Sequence, residues 1–111
     1  MAGSSRLSRG ANMSQDVQAC RQHLERFFRH YPDPLREQQT AKVLMFLAAF
    51  GEPLPGKPEG WAAGILYCLA NRYRQAFGVP GFLNAEFERF FCVSMDTVRK
   101  RAAQVLRAIT I

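Results

Sequence analysis

Apolar residues recur along most of this chain at three- and four-residue steps, the spacing that lines one face of an α-helix. Val17, Cys20, Leu24, Phe27, Phe28 and Tyr31 form the first stripe, with Ser14 placed to cap it and Tyr31-Pro32-Asp33-Pro34 to end it. Asp33 can cap a second helix that has Pro34 at its first position, and Gly51 stops it. The run 43–50 is so apolar that it predicts burial of this helix on most sides. A loop of Pro53, Pro55, Gly56 and Pro58 leads to a third helix over 59–77, with a stripe of Trp61, Ala62, Ile65, Leu66, Leu69, Tyr73 and Phe77. Small residues at Ala62, Ala63, Gly64 and Ala70 would let neighbours approach closely, which suits the central helix of a bundle, and Gly78 supplies its stop. Trp61 reads as a core anchor rather than a stacking platform. Of the adjacent pairs Phe27-Phe28 and Phe90-Phe91, one ring each is expected to be partly exposed, because neighbours on a helix cannot point at one spot.

Residues 83–111 carry a helix-turn-helix pattern. Asn84 caps a short helix that turns Phe87, Phe90 and Phe91 inward, Cys92-Val93 turn the chain, and Ser94 caps a second helix. On that last helix Val98, Ala102, Val105 and Ile109 share one face, and Asp96, Lys100, Ala103 and Arg107 the opposite one. Thr97, Arg99 and Gln104 flank the outer face and can donate to phosphates or bases, Arg being suited to a bidentate contact with guanine. Lys100 and Arg107 are natural phosphate ligands. The plainer reading of the same residues is the solvated face of a C-terminal helix.

No segment alternates with a period of two, so the expected fold is all-α: five helices in one compact domain over 14–111, after a disordered arm at 1–13 rich in Ser, Gly and Arg. At 111 residues, 48% hydrophobic and with one Trp, three Tyr and nine Phe, the chain can fill one core and not two. The formal charge of +6 is uneven: five Arg against two acids in 1–31, three bases against four acids in 32–60, seven bases against three acids in 61–111. An anionic partner fits that distribution, as does simple solubility.

Cys20, Cys68 and Cys92 are odd in number and set in apolar patterns, so they read as reduced core residues. His23 and His30 lack the carboxylates that would complete a metal site, and no metal or other cofactor is expected. No apolar run approaches the roughly 18 residues of a membrane span, so a cytoplasmic protein without a membrane partner is expected. Glu86 and Glu88 face different ways and no phosphate loop or Ser/His/Asp arrangement stands out, which argues against an enzyme.

The stretch Trp61-Ala62-Ala63-Gly64-Ile65-Leu66-Tyr67, with Phe91-Cys92-Val93-Ser94-Met95-Asp96-Thr97-Val98-Arg99, resembles the cyclin-like repeat of transcription factor IIB and an uncharacterised bacterial domain family of the same helical pattern. The resemblance covers about 57–111. It implies a cyclin-like bundle whose last two helices can contact promoter DNA, a role carried by motif position to Ser94, Thr97, Arg99, Lys100 and Arg101. Two residues depart from the pattern: Glu88 stands where Ala is usual, and Cys92 where the turn usually has Gly. Glu88 must then reach solvent or pair with a base such as Arg101, and Cys92 must tolerate or avoid a left-handed conformation. The expected function is a small transcription-related DNA-binding protein using Ser94, Thr97, Arg99, Lys100, Arg101, Gln104 and Arg107, contacts that a homodimer would strengthen. The alternative is a cyclin-fold adaptor that binds a protein partner and no nucleic acid.

Overall fold

A computed structural model describes residues 15–49, 54–72 and 82–109 of the chain. Among them are five α-helices and no strand: α1 (Gln15–His30), α2 (Pro34–Ala49), α3 (Pro58–Arg72), α4 (Asn84–Phe91) and α5 (Met95–Ile109). No described helix is long and apolar enough to cross a membrane. The expectations for the 1–13 arm, the Ser14 cap, the Gly51 and Gly78 stops, Pro53, Tyr73 and Phe77 fall outside the described residues.

α3 is the central helix. Residues 60–66 are buried without interruption, and α3 packs against each of the other four helices. Ala62, Ala63 and Gly64 make this physically workable, because a helix touched on all sides has room for backbones to approach only where side chains are short. Trp61 is buried in the core, and its indole N–H donates to the carbonyl of Pro55 at 2.9 Å.

α1 sinks its whole apolar stripe, Val17 through Phe28. Phe27 and Phe28 are both buried, against the expectation of one exposed ring. Both find ring partners: Phe27 stacks on Phe91 of α4 at 5.6 Å, and Phe28 stands edge-on to Phe27 at 5.3 Å. Tyr31 lies past the helix end and is 43% exposed, its ring set against Phe82 at 4.7 Å. The acidic first turn also ties in the loop before α3, since Asp16 Oδ2 accepts from the Leu54 N–H at 2.7 Å.

α2 begins as expected, with Asp33 Oδ1 accepting from the Arg36 N–H at 3.1 Å and Pro34 at the first helical position. Its burial is not as expected. Val43, Leu44 and Leu47 face the core, but Met45 is 63% exposed and Leu35 67%, because among the described residues helices pack on only one side of α2. A continuous apolar run does not tell a surrounded helix from one that leaves apolar residues in solvent.

Candidate nucleic-acid interface

α4 is only eight residues long, and three contacts hold it and its turn in place. Leu83, not Asn84, occupies the cap position, with φ −77° and ψ 150°. A leucine side chain cannot accept a hydrogen bond, so the entry rests on Glu86, whose Oε1 accepts from the Leu83 N–H at 2.9 Å. At the other end Arg26 of α1 donates from Nη2 to the Phe90 carbonyl at 3.1 Å, with its guanidinium 4.2 Å from the Phe90 ring centroid. This cation at a helix C-terminus satisfies a carbonyl that α4 cannot. Phe87 and Phe91 are fully buried and Phe90 partly so.

Cys92 closes α4 in the left-handed conformation, φ 57° and ψ 43°, the role a glycine would fill without strain. It is exposed, in contrast to the expected core position, because a residue that turns the chain outward at a helix end has no core to enter. Cys20 and Cys68 are buried; burial, and secondarily the charge of Asp16, push the Cys20 thiol up to about 12.

The turn delivers α5 with Ser94 as its cap. Ser94 Oγ accepts from the Thr97 N–H at 3.2 Å and also bonds the Thr97 hydroxyl, so both hydroxyls are engaged within the helix entry. Glu88 takes neither course open to it from sequence. Its Oε2 accepts from the Met95 N–H at 2.6 Å, which places a carboxylate on the positive end of α5 and braces the two helices across the turn.

Along α5 the division into two faces holds. Met95, Val98, Ala102 and Val105 are buried, while Asp96, Arg99, Lys100, Ala103 and Arg107 are exposed. Arg99 Nη1 lies 3.5 Å from Asp96 Oδ1, an exposed pair with little hold on either partner. Lys100 and Arg107 stand seven residues apart, about 10 Å along the axis, comparable to the roughly 12 Å width of the DNA major groove.

The residues expected to contact nucleic acid thus fall into two groups. Arg99, Lys100 and Arg107 point outward together, with Ser94 exposed at the head of the helix. Thr97, Arg101 and Gln104 lie on the flank of α5 that meets α3. Arg101 sets its guanidinium 4.8 Å from the Trp61 ring centroid and donates from Nη1 to Gln104 Oε1 at 2.9 Å. Arg89, at the exposed end of α4, adds a cation on the neighbouring helix that the sequence reading passed over.

A cavity of about 470 Å³ opens between α1, the head of α2 and α3, lined by Phe27, Phe28, Leu66 and Phe82 and by His30, Asp33 and Arg36. Among the described residues there is no group of three His, Cys, Asp or Glu side chains that could hold a metal ion. No protein-family model, curated protein or solved structure matches the chain.

Proposed function

We propose that this is a small DNA-binding protein, of a transcription-related kind, that lays the outward face of α5 along duplex DNA. The observation that carries the reading is the joint exposure of Arg99, Lys100 and Arg107 on a helix fixed by a short partner helix and a three-residue turn. Such a helix fits the major groove, where cations meet phosphates and an Arg can address guanine. The likeness of 57–111 to the cyclin-like repeat of transcription factor IIB supports the same reading. Ser94 and Thr97 serve it by capping α5, and the contact role rests on Arg99, Lys100 and Arg107, with Arg89 beside them.

The adaptor reading draws on a different surface, the exposed Leu35 and Met45 of α2. Fluorescence anisotropy with a labelled random duplex across a salt series separates the two. The DNA reading expects binding that weakens steeply with salt, with a slope reduced by about 0.9 per lost phosphate contact in an Arg99→Ala, Lys100→Ala variant. Equal binding by wild type and variant would count against α5 as the contact face, and no binding at low salt would favour the adaptor.

A further inference from the structure

Gly56, Gly60 and Gly64 stand four residues apart, so the two on α3 share one helix face and the third lies in the loop leading into it. α5 lies along this line. A Cβ on Gly64 would sit 2.7 Å from Arg101 Cβ and 3.0 Å from the Ala102 nitrogen; one on Gly60 would sit 3.1 Å from Thr97 Cγ2 and 3.8 Å from Arg101 Cγ; one on Gly56 would run into Arg101 Nη2. Arg101 therefore lies, from Cβ to guanidinium, in a trough that exists because three side chains are missing. Trp61 forms one contact surface, and its bond to the Pro55 carbonyl holds the turn in which Gly56 takes a φ of +87°.

Arg101 is not placed as a solubilising or phosphate-seeking arginine would be. Its Nε is closed to solvent with no acceptor among the described residues, and Nη1 is spent on Gln104 of its own helix. A buried N–H left unpaired is costly, so the seat must be held by the packing and the ring contact around it. Those contacts fix the side chain at three levels, two on α3 and one on the loop before it, and a helix held at three levels on one flank cannot roll about its axis.

We propose that Arg101 is a positioning residue: seated in the glycine trough, it sets the rotation of α5 and so the angle at which Arg99, Lys100 and Arg107 face outward. The proposal rests on the nucleic-acid reading of α5 and deepens it by moving Arg101 from the contact set to the registry of the contact face. With an outer helix radius of about 5 Å, a roll of about 20° displaces side-chain tips by about 2 Å, enough to spoil a hydrogen-bonded contact.

The test compares the full chain with its Arg101→Lys and Arg101→Met variants by two readouts. Without DNA, the emission and near-ultraviolet dichroism of Trp61, the single tryptophan, report the seat, while far-ultraviolet dichroism checks that each variant is folded. With duplex DNA, a salt series gives affinity and salt slope. Both variants are expected to shift the Trp61 spectrum and to weaken binding about fivefold or more, with the same salt slope in Arg101→Lys as in Arg101→Met. Lysine is expected not to rescue, because it keeps the charge but neither forks nor stacks as arginine does. A slope lowered by about one in Arg101→Met and restored in Arg101→Lys would make Arg101 a phosphate contact and overturn the proposal. Wild-type affinity in both variants would overturn it as well. No binding by the wild type would sink the nucleic-acid reading and the directing role with it, while the Trp61 spectrum separately decides whether the seat exists.

Discussion

Replacing Gly64 by alanine probes the closest approach of α3 and α5. In an open helix the change would stabilise by about 1 kcal/mol, since glycine is the poorer helix former. Here the new methyl would meet Arg101 Cβ at 2.7 Å, the Ala102 nitrogen at 3.0 Å and the Arg101 carbonyl carbon at 3.1 Å. Carbon atoms rest at about 3.5–4.0 Å, so α5 must retreat by close to 1 Å, and two of the three obstacles are backbone that no rotamer change can clear. That retreat loosens Val98, Ala102 and Val105 in the core, at a cost of about 2–3 kcal/mol, the upper part of the range typical of overpacking because backbone atoms are among the obstacles. Set against the propensity gain, the expected net loss is about 1–2 kcal/mol, a fall in Tm on the order of 5–10 °C for a domain of this size. Gly60→Ala is the control: its obstacles are side-chain atoms, Thr97 Cγ2 at 3.1 Å and Arg101 Cγ at 3.8 Å, so propensity roughly offsets crowding and Tm should stay within a few degrees. Thermal unfolding followed by circular dichroism reads both. A Gly64→Ala protein as stable as the wild type, or a Gly60→Ala protein losing as much, would refute the close-approach argument.

Glu88→Ala removes the carboxylate that accepts from the Met95 N–H and should cost about 1 kcal/mol in chemical denaturation, the usual loss for a helix cap; no change in midpoint would mean the contact does not hold in solution. Cys92→Gly relieves a left-handed residue and should leave stability equal or up to about 1 kcal/mol higher, while the β-branched Cys92→Val should lower it; the reverse order in Tm would argue against the observed turn. In the native protein one of the three thiols, Cys92, should react with Ellman's reagent at pH 8, and all three in denaturant; three fast thiols without denaturant would contradict the burial of Cys20 and Cys68. Because the Cys20 thiol is raised from 9.0 to about 12 in the fold, its contribution is intact below pH 9 and fades as pH climbs toward 12, where the unfolded chain ionises first. Stability measured over that window should fall less in Cys20→Ala than in the wild type.

The helices themselves were legible because each signal was local. The stripe of α1 and the two faces of α5 follow from a 3.6-residue period, and the starts of α2 and α5 from Asp33 and Ser94 acting within three residues. What sequence did not carry depends on a second element. The exposure of Leu35 and Met45 follows from which sides of α2 the other described helices cover. The inward course of Arg101 is set by glycines on α3, and on a wheel of α5 alone it is one more flanking cation. Glu88 reaches seven residues ahead to Met95, a pairing that no capping-box spacing anticipates. Arg26 and the Phe90 carbonyl, 64 residues apart, meet only because α1 and α4 share the Phe27 cluster.

The claim that α5 is the contact face is tested most directly by titrating isotope-labelled protein with a short DNA duplex and following each backbone amide by NMR. The account predicts that shifts concentrate on Arg99, Lys100, Ala103 and Arg107, with Arg89 nearby, and that Leu35 and Met45 on α2 stay still. Shifts centred on α2 with α5 silent, or no shift anywhere at low salt, would contradict it.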